Sequence, residues 1–184
     1  MNAPFFFGYG SLVNRETHAY PDVTHAHVAG WSRRWQGTGL RKLAFLTAQP
    51  DSGGEIRGLI AAVPNADWAA LDERERAYAR HGVASIAHDH PAATDIQIYA
   101  VEKLHAEEGT HPILLSYLDT VIQGYLTEFG EAGAVEFFET TQGWNRPVMN
   151  DRNAPLYPRA TGVSAAERSF VDENLQRVQA ALAG

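Results

Sequence analysis

The apolar positions of this chain change their period about halfway along. Up to about residue 100 they fall in short runs or alternate with polar partners, and beyond it they recur every three or four residues. Phe5-Phe6-Phe7, closed by Gly8-Tyr9-Gly10-Ser11, reads as a buried strand entering a tight loop. Val23 to Gln36 fits two short strands or one bent one. Leu43 to Ala48 and Ile56 to Val63 fit two more, parted by the turn-forming Asp51-Ser52-Gly53-Gly54. Ile96, Ile98 and Ala100 alternate as a half-buried strand does. Helices are predicted over Ala66 to Arg80, with Asn65 as N-cap, and over Pro112 to Phe129, capped by Thr110 and stopped by Gly130. A short helix from Ala132 to Glu139 follows, and a last one opens on the capping box Ser164-Ala165-Ala166-Glu167. Gly143 to Thr161, with three prolines, reads as an ordered extended loop. Within it, Asn150-Asp151-Arg152 and Tyr157-Pro158-Arg159 suit either a lid over a pocket or a rigid connection. Strands first and helices later predict an α+β fold, taken as one domain over 1–184 with 110–184 a mainly helical part packed on it.

Composition narrows the function classes. Of the 184 residues, 45% are hydrophobic and 20% charged, enough apolar material for a continuous core and too much for a disordered chain. Twenty-two acids against fifteen bases give a net charge of −7 with no Lys/Arg run, which argues against nucleic acid as a partner. With no cysteine, disulfides, thiolate zinc sites, iron–sulfur clusters and cysteine nucleophiles are excluded. The first residues carry no basic stretch followed by an apolar one, and no run approaches the ~20 apolar residues of a membrane helix. A cytoplasmic protein without a membrane partner is expected; its oligomeric state is left open.

Four groups of residues are candidates for chemistry. On a helix from Ala66 to Arg80, Glu75 falls among Trp68, Leu71, Tyr78 and Ala79. A carboxylate on an apolar face loses hydration and its pKa rises, which suits it to proton transfer near neutral pH. It could equally be a rim carboxylate paired with Arg74, and helix geometry alone favours that role because ion pairs outnumber catalytic acids. The glycines of Gly8-Tyr9-Gly10-Ser11-Leu12 let successive backbone N–H groups converge on one point, a concavity fit for an anion; alone, the motif is equally a strand-ending turn. His25/His27 and His88/His90 share a strand spacing that could ligate a metal, although neither pair belongs to a recognisable metal motif. Trp31, Arg33, Arg34 and Trp35 could stack on a ligand, with strand packing the simpler role.

Phe7-Gly8-Tyr9-Gly10-Ser11-Leu12 resembles the FGYGSL signature of the γ-glutamylcyclotransferase-like family, which includes the ChaC-type glutathione cyclotransferases. Gly58-Leu59-Ile60 resembles the strand before that family's catalytic helix, and Leu71-Asp72-Glu73-Arg74-Glu75 resembles its acidic motif, whose final Glu is the catalytic acid/base. The resemblance covers about residues 4–105 and selects the catalytic reading of Glu75. It implies a small, partly closed, mixed β-barrel ringed by helices, and cyclisation of a γ-glutamyl amide to 5-oxoproline without a cofactor or metal. Glu75 is then the catalytic residue, and the backbone of Tyr9, Gly10, Ser11 and Leu12 binds the small-molecule γ-glutamyl substrate, with Tyr78 one turn on as a pocket-lining residue. A non-catalytic binding module on the same fold, or a His-dependent metal hydrolase, are the alternatives.

Overall fold

A computed structural model describes residues 3–183; Met1, Asn2 and Gly184, to which the expectations for the first residues and for the domain span extend, lie outside the described residues. In chain order the elements are β1 (Ala3–Gly8), β2 (Thr24–Thr38), β3 (Arg41–Ala62), α1 (Trp68–Arg74), β4 (Tyr78–Gly82), β5 (Ile86–His88), β6 (Ala93–Val101), β7 (Ile113–Leu114), α2 (Leu115–Thr140), β8 (Thr141–Gln142), β9 (Val148–Met149) and α3 (Ala165–Ala183). The main sheet runs β4-β6-β1-β3-β2-β5, with β8 added on β2. It is mixed, because β1 pairs antiparallel with β3 and parallel with β6. The α+β architecture expected from the sequence is therefore present.

β1 lies between two neighbours, which explains its unbroken Phe run: Phe5 and Phe7 enter the main core, while Phe6 faces a second cluster with Val63, Leu71 and Tyr99. The sheet curls into a half-barrel with free edges at β4 and β5. The first half of β3 bends round to face β6, where Val101 N–H donates to Thr47 Oγ1 at 2.8 Å. Beside it the Tyr9 hydroxyl donates to the Tyr99 carbonyl (2.5 Å) and accepts from Ala48 N–H (3.0 Å). One phenol thus stitches two walls where no ladder joins them. The helices close the other face: Leu118, Val121 and Ile122 of α2 and Val171 and Leu175 of α3 belong to the same core cluster as Phe5, Trp35 and Ile60.

Several element boundaries differ from the sequence reading. The stretches 43–48 and 56–63 fall on one strand, β3, which ends at Ala62, and the Asp51–Gly54 turn is an irregularity within its pairing to β2, where Trp31 faces Pro50 and Ala29 faces Glu55. The helix expected over 66–80 ends at Arg74, and Asp67, not Asn65, caps it by accepting from Ala69 and Ala70 N–H. Tyr78 to Gly82 instead pairs with β6, a tertiary ladder that outweighs local helical preference. α2 begins at Leu115, because Ile113 and Leu114 pair with Val148 and Met149. Its cap comes from across the fold and not from Thr110: Asp151 accepts from Ser116 N–H (2.8 Å) and Ser116 Oγ–H (2.5 Å). Gly130 breaks α2 as expected, with φ +66°, and the helix resumes to Thr140. The capping box of α3 forms in both directions between Ser164 and Glu167.

Candidate active site

Glu75 stands at the C-terminal end of α1, its N–H donating to the Leu71 carbonyl at 2.9 Å, and its own carbonyl turns the chain by accepting from Tyr78 N–H at 2.7 Å. The apolar helical face that singled it out does not exist, since Tyr78 belongs to β4. The tight turn nonetheless puts Glu75 and Tyr78 side by side in one cleft, which also takes in Ser11, Leu46 and Tyr117. This cleft has a volume of about 720 Å³. Its narrow inner recess is lined by Gly8 through Leu12, with Glu75, Tyr78, Tyr99 and Tyr117. All five residues nominated from the sequence are thus brought to one recess.

The Gly8–Leu12 loop presents backbone donors there. Among the described residues no protein acceptor pairs with the N–H groups of Tyr9, Gly10 or Leu12, and Ser11 N–H faces the Tyr117 hydroxyl. Open donors bordering a recess form a site for an anionic oxygen. Gly10 is required by close approach: a Cβ would stand 2.7 Å from the Tyr117 hydroxyl and 3.3 Å from Leu46 Cδ2.

Burial pushes the Glu75 carboxyl above the ordinary glutamate range, against the opposing pull of Arg74 and Arg159. Its position at a helix C-terminus acts in the same direction as burial. Arg74 Nε donates to Glu75 Oε1 at 3.2 Å, so the ion pair weighed from the sequence is present, yet Glu75 also faces the cleft with its side chain 18% exposed. Tyr9, Tyr78 and Tyr117 are raised, chiefly by burial and in part by the Glu75 charge, so they stay protonated at neutral pH and can donate. The acidic limb of any Glu75-dependent activity is therefore expected above pH 4.5, the ordinary glutamate value. Because Arg159 opposes the upward shift, Arg159→Gln should move that limb to still higher pH. Rate profiles from pH 4 to 9 for both proteins measure this, and a limb that stays put or moves down contradicts it.

The Pro-rich loop resolves into two parts. Leu156 to Arg159 forms a strap along the cleft, with the Tyr157 ring edge-on to Tyr117 at 5.0 Å. Asn150 to Arg152 is a rigid anchor, in which Arg152 grips Asp119 with two 2.7 Å bonds and Asp172 with one of 2.9 Å. Sequence reasoning missed Tyr117, which reads only as one more apolar position of a helix. Arg33 and Trp35 are buried and do not line the cleft, Trp35 packing edge-on behind Tyr117. The histidine pairs do not converge: His25 bonds Glu128 at 3.0 Å, His27 bonds Glu55 at 3.2 Å, and His88 and His90 accept backbone N–H bonds within a turn. Among the described residues no three His, Asp or Glu side chains are grouped as metal ligands, and no helix is long and apolar enough to cross a membrane.

Comparisons with known proteins bear on the fold and the family. No curated protein sequence matches the chain. Among solved structures, a gamma-glutamyl cyclotransferase superposes with a TM-score of 0.60 at 15% identity, over 94% of this chain and 99% of its own. An uncharacterized protein from Homo sapiens gives 0.56 at 14% identity, over 94% and 99%. YkqA from Bacillus subtilis gives 0.58 at 19% identity over 78% of this chain, which spans only 57% of YkqA. At these identities the likeness establishes the fold. The family model of the AIG2-like gamma-glutamyl cyclotransferases matches residues 6–132, from the Phe run of β1 through the Gly-rich loop and Glu75 into α2, and the chain belongs to that family.

Proposed function

We propose that the chain cyclises a γ-glutamyl amide to 5-oxoproline and releases the amine or amino acid. The substrate's α-amine nitrogen bonds to its γ-carbonyl carbon, and the bond from that carbon to the leaving nitrogen breaks. Glu75 accepts one proton from the α-ammonium and returns it to the leaving nitrogen, and the second proton that the ring nitrogen sheds as its bond to carbon forms passes to the same leaving group, which departs as an ammonium. One carboxyl must therefore act first as base and then as acid, which a pKa lifted toward neutrality serves. The open N–H groups of Tyr9, Gly10 and Leu12, with that of Ser11 beside Tyr117, hold the glutamyl moiety folded for ring closure and oppose charge building on the γ-carbonyl oxygen. The observation that carries this reading is that the Gly8–Leu12 loop and Glu75 line one recess. Nothing in the reaction requires a redox group or a metal ion.

The outer cleft bears on the leaving group. Arg41, Arg74, Arg76 and Arg159 line it against Glu73 and Glu75, in a chain whose net charge is −7. Local cationic character in an acidic protein favours a leaving group with its own carboxylate, an amino acid or short peptide over an amine. The test incubates the protein with γ-glutamyl amino acids, their C-terminal amides and γ-glutamyl amines, and measures 5-oxoproline by mass spectrometry. Turnover is expected, with the free acids ahead of their amides. Absence of 5-oxoproline from every compound would reject the reaction and leave a binding module.

A further inference from the structure

Arg33 is a large buried cation, 1% exposed, that forms no ion pair among the described residues; the neighbouring Glu136 pairs with Arg57 instead. Its guanidinium donates to Thr140 Oγ1 (2.7 Å), Thr141 Oγ1 (3.2 Å), the Arg57 carbonyl (3.2 Å) and the Tyr125 hydroxyl (2.7 Å). Its carbon lies 4.7 Å from the centre of the Phe137 ring. A charge buried without a counter-ion is costly, and its retention calls for a physical reason.

That reason lies along its bond to Tyr125. The Tyr125 hydroxyl is 2.9 Å from the Tyr9 carbonyl, to which no backbone N–H donates among the described residues. It is also 2.7 Å from the Arg57 carbonyl, which accepts from Arg33 at 3.2 Å as well, so the single phenolic proton is shared between the Arg57 and Tyr9 carbonyls. Burial raises the Tyr125 phenol although Arg33 pulls it down, so the proton stays on at neutral pH. The Tyr9–Gly10 peptide is trans, and in a trans peptide the N–H points opposite to the C=O. With the carbonyl held toward α2, the Gly10 N–H is aimed the other way, as one of the open donors of the loop.

We propose that Arg33 and Tyr125 are positioning residues for the Gly8–Leu12 loop, passing the guanidinium's charge through the Tyr125 O–H and the Tyr9–Gly10 peptide to the Gly10 N–H, which binds an anionic oxygen of the glutamyl group. The proposal rests on the cyclotransferase reading. Aligned hydrogen bonds in a low-dielectric interior polarise one another, so the far donor is strengthened as well as fixed in direction.

Tyr125→Phe is the test, because it keeps the ring packed against Phe129 and Phe137 and removes only the hydroxyl. Calorimetric binding of γ-glutamyl-alanine, measured in a Glu75→Gln background so that nothing turns over, should weaken about 10-fold, a fraction of the loss when such a donor is deleted outright. In the active protein kcat should fall by a similar factor. Arg33→Gln should reproduce both losses and Arg33→Lys should restore part of them. In the Tyr125→Phe background, Arg33→Gln should change kcat no further. A Tyr125→Phe variant with a lowered Tm but unchanged binding and kcat, or losses that simply add, would leave Arg33 and Tyr125 purely structural. Tyr125-dependent binding without any 5-oxoproline would uphold the relay and reject the reaction, whereas turnover indifferent to Tyr125 would do the reverse. If γ-glutamyl-alanine does not bind, the proposal is wrong.

Discussion

Glu75→Gln should lower 5-oxoproline release by roughly 10²–10⁴-fold while leaving the fold intact, the range that loss of a positioned proton-transfer group produces. The amide keeps the size of the side chain and can still bond Arg74, so the α1–β4 turn, held by backbone bonds from Glu75 to Leu71 and Tyr78, has no reason to move. The same substitution should make the protein more stable at neutral pH. Folding raises the Glu75 pKa, so the protonated carboxyl is the form the fold favours. Its contribution is fully present below the unfolded-state pKa and is lost as pH rises through the raised value. Above the unfolded-state value the wild type must either hold its proton or carry a poorly hydrated charge, a cost that glutamine does not bear. Thermal melts should show Glu75→Gln above wild type at pH 8, with the difference closing toward pH 4. A variant that retains turnover, or one that melts lower at pH 8, would mean that Glu75 serves mainly as Arg74's ion-pair partner.

Arg152→Ala is expected to give the largest loss of stability of any single substitution in the loops, about 3–5 kcal/mol, the usual result of stranding a buried partner charge. Asp119 on α2 is 3% exposed and takes two 2.7 Å bonds from Arg152, which also reaches Asp172 on α3. One guanidinium therefore joins a loop and two helices. For a chain of this length the loss corresponds to a Tm lower by roughly 6–20 °C. Adding Asp119→Asn should recover part of it by removing the stranded charge. If the double variant is no better than the single one, lost packing and not the unpaired carboxylate dominates. Activity should suffer too, because the neighbouring Asp151 holds both the first turn of α2, through Ser116, and the start of the strap, through Leu156 N–H at 2.9 Å.

The residues that carry the proposed chemistry were legible because they depend on local sequence: the glycines around Tyr9 and the acidic motif ending at Glu75 need no distant partner to be noticed. The apolar helical face around Glu75 is nonetheless absent, since the run from Leu71 to Tyr78 is cut at Arg74 by a β-ladder with residues 97–101. Helix and strand periods overlap over such short spans, and only the partner strand decides between them. Ile113 and Leu114 passed for a first helical turn for the same reason, their strand partners lying at 148 and 149. The capping box at Ser164 is legible because its bonds span only three residues. Tyr117 was invisible because its role comes from where α2 crosses the Gly-rich loop, and the resemblance traced to about residue 105 stops short of α2, whereas the family model runs to 132. Asp151 and Arg152 could be seen as polar residues in a loop, but not as the two groups that fasten that loop, because Ser116, Asp119 and Asp172 are brought to them only by the tertiary fold.

Tyr9 gives the Gly-rich loop part of its backbone and, with its hydroxyl, joins Ala48 to Tyr99 across the gap in the curled sheet. The loop and the wall are consequently tied by one side chain. A fluctuation that parts the two strands would break the Tyr9 hydroxyl bonds and release one of the ties on the loop. In this architecture the loop is tied to the curvature of the sheet through the Tyr9 hydroxyl and to α2 through the Tyr9 carbonyl.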